Sequence, residues 1–345
     1  MELKKLMSEH RKKINRTLEE QFSQIDMRLS PLGVQILEDI KEFTLRGGKR
    51  LRAMLVIYGY RAFGGTDEKE ILKAATAVEL MQSFLLIHDD IMDCDELRRG
   101  KPTLHKIYEE RYRDEKIGRD MSIIAGDICS SMGQQIIENT KFSDKKKLRA
   151  LKVFNDAVIK TCVGQAMDVL NTHKQENNEK EIRAIHKLKT ATYTLEAPLT
   201  LGAALADTEK SEVEKLREFA TPMGQAFQLQ DDIIGMFGDA QRIGKPVGSD
   251  LREGKMTLLI TQALKEANNE DKKFLEDVLG DKGITEQDIL RAKNIIEETG
   301  SLQHSKDLAK KYIENALEKL EDLKIDNEAK QFFKEVAQYL MRRRY

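Results

Sequence analysis

Apolar residues recur at i, i+3, i+4 and i+7 through most of the chain, and this helical period restricts the fold more than any other feature. Between 67 and 92 it is followed by Ile71, Ala74, Ala75, Val78 and Leu85. Segments 143–170, 178–205, 209–235, 284–297 and 303–343 repeat it. Val and Ile do not collect into alternating runs bounded by turns, as a half-buried strand requires. Proline, which interrupts helices, occurs only 5 times in 345 residues. Gly47-Gly48, Gly64-Gly65, Gly100-Lys101-Pro102, Gly244-Lys245-Pro246 and Gly280 mark turns, none long enough for a flexible linker. The charge-rich stretches 172–181 and 264–273 read as solvated loops or helix ends. A length of this order could hold two domains. The absence of linkers instead predicts an all-α fold, with one large helical bundle occupying residues 1–345.

Composition narrows the chemistry. Lys+Arg number 58 against 59 Asp+Glu, so no global basic field for nucleic acid exists and charge-driven chemistry must come from local clusters. Cys94, Cys129 and Cys162 form no C-x-x-C pair, which argues against disulfides or structural zinc and for a reducing cytoplasm. The opening MELKKLMSEHRKK has no apolar signal core. No apolar run looks close to the ~18–20 residues that cross a bilayer, so a soluble cytoplasmic protein without a transmembrane segment is expected.

The sharpest motif is His88-Asp89-Asp90-Ile91-Met92-Asp93, closing the apolar stretch Leu80 to Ile91. Asp89 and Asp93 stand one helical turn apart and point the same way. Three carboxylates so close repel unless a cation sits among them, and hard oxygen ligands suit Mg²⁺. An exposed acidic helix end is the alternative, but it would be odd after so apolar a run. A second pair, Asp231-Asp232, stands in Phe227-Gln228-Leu229-Gln230-Asp231-Asp232-Ile233-Ile234-Gly235 after another apolar helical stretch. Two such pairs look like one site approached from two sides.

Basic groups accompany them. Gly47-Gly48-Lys49-Arg50-Leu51-Arg52 opens a helix, so Lys49 and Arg52 can share a face and backbone N–H groups can meet phosphate. Leu97-Arg98-Arg99-Gly100-Lys101-Pro102-Thr103 follows the first acidic motif, and Arg forks match phosphate oxygens. Lys245 and Lys255 follow the second. Taken singly, each basic pair reads as a solvated face; their placement beside both acidic motifs favours anion binding. Other motifs fail. Gly248 to Lys255 is one residue too long for a P-loop, and Met256 replaces the needed Ser/Thr. No G-x-G-x-x-G, H-E-x-x-H or EF-hand can be read.

From Gly47 to about Leu259 these motifs, in this order, resemble the trans-isoprenyl diphosphate synthases, which include farnesyl and geranylgeranyl diphosphate synthases. The resemblance implies an isoprenoid-synthase-like bundle around a central cavity, and three Mg²⁺ ions with bound diphosphate. It implies Asp89, Asp93 and Asp231 as metal ligands. Gly235 departs from the second D-D-x-x-D motif, so the third carboxylate is lost or shifts to Asp239. Lys49, Arg52, Gln82 and Arg99 match the isopentenyl diphosphate site, Arg98 the arginine on the allylic diphosphate, and Lys245 and Lys255 lysines that close on it. Lys189, Thr190 and Gln228 match groups beside the reacting carbon, and Gly164-Gln165-x-x-Asp168 a supporting motif. A homodimer is implied as well.

The implied chemistry is ionisation of the allylic diphosphate, attack by the isopentenyl double bond, and proton loss. It needs no protein nucleophile, and no Ser-His-Asp or Cys-His set is seen. At 1.5 Å per residue, Phe84 lies about 7.5 Å and Met81 about 12 Å below Asp89. The resemblance makes Leu85 and Phe84 the floor under the growing chain, which predicts a C20 product before C15; Phe84 could instead merely fill the core. A class I terpene cyclase would leave Lys49, Arg52 and Arg99 without purpose, and a non-catalytic subunit would not keep the aspartates. Arg342-Arg343-Arg344 could reach the active site or touch anionic lipid, with a solvated face as the default.

Overall fold

The computed structural model describes residues 3–25, 30–172, 178–238 and 247–342. The helices are α1 (Leu3–Gln24), α2 (Pro31–Leu45), α3 (Leu51–Arg61), α4 (Glu68–Met92), α5 (Leu104–Tyr112), α6 (Glu115–Glu138), α7 (Asp144–Asn171), α8 (Glu179–Ile185), α9 (Ala197–Leu205) and α10 (Lys210–Phe237). A π-helical stretch, His186–Glu196, joins α8 to α9. Helices Ser249–Arg252, Leu258–Glu266, Asn269–Val278, Glu286–Glu298, Ser301–Glu321 and Asn327–Arg342 complete the order. The all-α expectation holds. The one departure among the described residues is a minimal antiparallel hairpin, β1 (Leu97–Arg98) with β2 (Lys101–Pro102).

Two compact units emerge. The first comprises Met1–Val158, Ala197–Leu216 and Lys324–Phe333. Its helix starts follow local chemistry: Ser30, Asp67 and Asp114 accept from backbone N–H groups of the first turns of α2, α4 and α6. Helix α4 packs against α1, α2, α3, α5, α6 and α9. This explains why apolar residues surround it rather than forming one stripe. Contrary to the sequence expectation, α4 is by length and composition apolar enough to cross a membrane. However, 67% of its most apolar window is buried, so burial accounts for that character. Glycines permit the closest crossings. A Cβ on Gly59 would lie 2.5 Å from the Leu199 carbonyl oxygen, and one on Gly202 2.2 Å from that of Val56, so α3 and α9 meet backbone to backbone. The start of the last helix docks here through Phe332, stacked on Tyr58 at 3.8 Å.

The second unit comprises Ile159–Glu196, Arg217–Leu323 and Lys334–Tyr345. Glycines from α7 and α10 clasp its π-helical stretch. A Cβ on Gly164 would stand 2.3 Å from the Lys189 nitrogen, and one on Gly224 2.4 Å from Ala191 Cα. The helical period over 178–205 is thus interrupted by a wider turn, and that over 303–343 divides between Glu321 and Asn327. Leu258, Leu259, Ile260, Leu275, Ile295 and Ile313 form part of this unit's core.

Candidate active site

In the first unit, α4 delivers Asp89, Asp90 and Asp93 on its last turn. Asp93 caps the helix, its N–H donating to the Asp89 carbonyl at 2.8 Å. Asp89 and Asp93 are half-buried, whereas Asp90 is only 1% exposed and turns inward. Asp90 accepts from Arg98 through Nε at 2.7 Å and through Nη2. The same Nη2 reaches Asp95 at 2.9 Å and lies 3.9 Å from Asp89. Burial pushes Asp90 up to about 7 against the pull of Arg98. Arg98 itself is raised, because Asp90, Asp89 and Asp95 outweigh the effect of burial. Arg98 therefore stands among three carboxylates, and its pairing with Asp90 and Asp95 has no signature in the sequence.

Arg99 takes a left-handed conformation, φ 55°, and donates from Nη1 to the Gly47 carbonyl at 2.9 Å. The hairpin thereby brings Arg99 to the Gly47-Gly48 loop. There φ values of 114° and 104° suit glycine, and a Cβ on Gly48 would meet Arg99 Nη2 at 3.3 Å. Desolvation, and then Arg50 among the neighbouring cations, pulls Arg99 down to about 10. Lys49, exposed, precedes the helix; Arg52, half-buried, lies in its first turn. The expectation of a shared helix face fails for that reason. One N–H of the helix N-terminus is taken: the Ala53 N–H donates to Glu79 at 3.2 Å. Glu79 belongs to a buried pair with Arg50, at 2.9 Å and both side chains 2% exposed. Arg50 also donates to Asn15 at 2.8 Å and to the Thr44 carbonyl at 2.7 Å. Sequence reading missed Arg50 and Glu79, since a pair 29 residues apart leaves no local pattern.

Gln82 lies half-buried on α4, two turns before Asp89. Met81 and Phe84 are buried, and Leu85 is half-buried. The Phe84 ring packs edge-on against His88 at 4.9 Å. His88 is held at 3.0 Å from the Ile123 carbonyl in a space that Gly126 leaves open.

In the second unit, the π-helical stretch presents Lys189 and Thr190. Lys189 Nζ donates to Asp168 at 2.6 Å, which gives the Gly164-Gln165-x-x-Asp168 motif two tasks: Gly164 admits the stretch and Asp168 holds its lysine. Thr190 bonds Gln228 Oε1, Gln228 Nε2 donates to Asp232 Oδ1 at 2.7 Å, and His186 Nε2 lies 3.2 Å from Asp232 Oδ2. Asp231 is half-buried on α10 beside the buried Asp232. Lys255 Nζ pairs with Glu253 at 2.8 Å. A Cβ on Gly235 would lie 3.0 Å from Asp250 Oδ2, so a carboxylate from the short helix Ser249–Arg252 packs against the position that lacks a side chain. Lys245, Asp239, Arg343 and Arg344 lie outside the described residues.

The polyprenyl synthetase family model matches residues 34–297. A short chain isoprenyl diphosphate synthase of Methanocaldococcus jannaschii is 40% identical over 74% of this chain and 74% of its own. A geranylgeranyl diphosphate synthase of Saccharolobus solfataricus is 38% identical over 86% and 87%. Among solved structures, a geranylgeranyl pyrophosphate synthase from Corynebacterium glutamicum, complexed with isoprenyl diphosphate and magnesium, superposes with a TM-score of 0.91 at 29% identity, covering 100% of both chains.

Proposed function

The chain belongs to the polyprenyl synthetase family and is a trans-prenyltransferase, and on that premise we propose that it condenses isopentenyl diphosphate with dimethylallyl, geranyl or farnesyl diphosphate to a C20 product, with C15 next. The observation that carries the reading is the convergence within one unit of two chemistries. The carboxylate pair Asp89 and Asp93 ends α4, and the hairpin that follows lays Arg99 on the Gly47-Gly48-Lys49 loop. A lyase that ionises one diphosphate needs no such second cation group.

Asp89, Asp93 and Asp231 would hold Mg²⁺, with three ions on the bound diphosphate. The donors are hard carboxylate oxygens. Among the described residues no group of three His, Cys, Asp or Glu side chains is placed to hold a metal ion by itself, and Mg²⁺ commonly takes water and substrate oxygens beside one or two carboxylates. Bound Mg²⁺ supplies positive charge to the departing diphosphate. Arg98, Lys245 and Lys255 add fixed charge there, so the allylic C–O bond breaks and its electron pair leaves with the diphosphate. Lys49, Arg52, Gln82 and Arg99 hold isopentenyl diphosphate while its double bond forms the new C–C bond. The Thr190 and Gln228 oxygens stabilise the cation, Lys189 lies beside the same carbon, and the proton passes to the released diphosphate. Asp250 takes the place of the third carboxylate missing at Gly235. Buried Phe84, with Leu85 and Met81, stops the chain.

We read the two units as one domain, because α7 and α10 each contribute residues to both. The enzyme acts in the cytoplasm as a homodimer, which would cover Ile117, Ile123 and Ile124, 41%, 45% and 47% exposed on α6. Purified protein given Mg²⁺, isopentenyl diphosphate and each primer tests the reaction by product mass. A C20 diphosphate is expected; diphosphate release without isopentenyl incorporation indicates a cyclase, and silence with every primer a non-catalytic subunit.

A further inference from the structure

Helix α4 ends in a tight turn of the first unit. The Cys94 N–H donates to the Ile91 carbonyl at 3.3 Å and the Asp95 N–H to the Asp90 carbonyl at 2.9 Å, with Cys94 left-handed at φ 56°. These two bonds make a Schellman closure, in which glycine is the usual left-handed residue. Asp95 is fixed from its other side as well, since the Thr103 hydroxyl donates to its carbonyl at 2.8 Å and Thr103 is fully buried. The Asp95 side chain, 12% exposed, meets Arg98 Nη2 at 2.9 Å, on the nitrogen that Asp90 also holds. The metal reading gives Asp95 no task.

Together these contacts occupy one edge of the guanidinium. Such a group carries one proton on Nε and two on each Nη. Asp90 Oδ1 accepts from Nε at 2.7 Å and from Nη2, and Asp95 Oδ2 accepts from Nη2 at 2.9 Å. The two Nη1 protons take no part in these bonds. Asp90 offers a single oxygen, and a planar fork held on one atom can swing about it. Asp95 grips the same edge from a second point and removes that swing. Its charge alone works against the site. Arg98 Nη2 is 3.9 Å from Asp89 Oδ2, so Asp95 adds a further carboxylate where an anionic substrate is to bind.

We propose that Asp95 is a positioning residue for the allylic substrate. Acting through Arg98, it locks the Nε–Nη2 edge so that Nη1 stays aimed at the allylic diphosphate. The inference rests on the reading that Arg98 meets that diphosphate. A cation set in place beforehand needs no reorganisation as the C–O bond breaks, so its alignment serves both binding and ionisation. Isopentenyl diphosphate, held by Lys49, Arg52 and Arg99, gains nothing from it.

The test compares Asp95→Ala, which removes the acceptor, with Asp95→Asn, which keeps an acceptor oxygen without the charge. Each is made alone and with Arg98→Ala. The readouts are kcat/KM for the allylic substrate, KM for isopentenyl diphosphate, the Mg²⁺ activation curve, calorimetric binding of a sulfur-bridged allylic diphosphate, and the melting profile. Asp95→Ala is expected to lower allylic kcat/KM and analogue affinity roughly 10- to 100-fold, with the isopentenyl KM and the Mg²⁺ midpoint within about twofold. Asp95→Asn should recover most of the loss. In the Arg98→Ala background Asp95→Ala should cost nothing further, or bind the analogue better, because only its repulsion remains. Wild-type allylic values in a folded Asp95→Ala, or a full multiplicative loss on top of Arg98→Ala, overturns the proposal. A shifted Mg²⁺ midpoint makes Asp95 part of the metal site instead, and an equal loss for both substrates makes it a support of the hairpin; either result also overturns it. Should Asp95→Ala melt without cooperativity, Asp95→Glu, which moves the acceptor by one methylene, carries the same comparison: wild-type allylic values, or a loss undiminished by Arg98→Ala, is the contrary result. If Arg98→Ala alone leaves analogue binding intact, the placement of Arg98 on the allylic diphosphate fails first, and the inference with it.

Discussion

Position 235 has no side chain where a third acidic residue of the second motif is expected, and Asp250 Oδ2 stands 3.0 Å from where its Cβ would be. If Asp250 serves the metal site, Asp250→Asn should weaken Mg²⁺ activation about 10- to 100-fold, the usual effect of losing a partner of a metal site. Titrating activity against Mg²⁺ reads this directly, and an unchanged curve removes Asp250. Phe84 belongs to the same scale. It is 7% exposed and rests on a His88 that is itself held by Ile123. Phe84→Ala should shift products beyond C20 by mass spectrometry; an unchanged distribution makes Phe84 core packing only. Runs of like residues were legible at this scale: Asp89, Asp93, Arg98 and Arg99 could be singled out because they sit together in sequence. Glu79, Asp250 and Asp95 could not, because their meaning lies in partners that only the fold brings near. Asp232 stood in a legible motif, yet its hydrogen bond to Gln228 did not.

At the scale of elements, the loop before α3 depends on the Arg50–Glu79 pair, whose two side chains are each 2% exposed. Glu79→Ala leaves Arg50 charged and buried, a loss of about 3–5 kcal/mol in chemical denaturation. A joint Arg50→Met, Glu79→Leu variant should regain much of that stability. It should still bind isopentenyl diphosphate poorly, since Arg50 also holds Thr44 and Asn15 around the loop. Full recovery of KM in that variant would show the loop needs no such anchor. Helices α4, α7 and α10 were legible because apolar residues recur at helical spacing over 67–92, 143–170 and 209–235. The π-helical stretch was not: a wider turn in an apolar segment leaves the same residues apolar. Only Gly164 and Gly224, pressed against Lys189 and Ala191, show why the backbone widens there.

At the scale of the whole molecule, the legible features were the helical class and the order of motifs; the division into two units was not, because α7 and α10 run without a break in pattern across it. Association is likewise a property of exposed faces. Ile124→Glu places a charge in the apolar stretch of α6 and should convert a dimer to monomers by light scattering. A dimer that persists puts its interface elsewhere. The central claim is that carboxylates from both acidic motifs hold one diphosphate through shared divalent ions. Calorimetric binding of an allylic diphosphate made unreactive by sulfur at its bridging oxygen, with and without Mg²⁺, measures this in wild type, Asp89→Asn, Asp231→Asn and the double variant. The account predicts Mg²⁺-dependent binding that either single change largely abolishes, with the double variant little worse than each. Wild-type affinity in either single variant, or two independent losses that simply add, would contradict it.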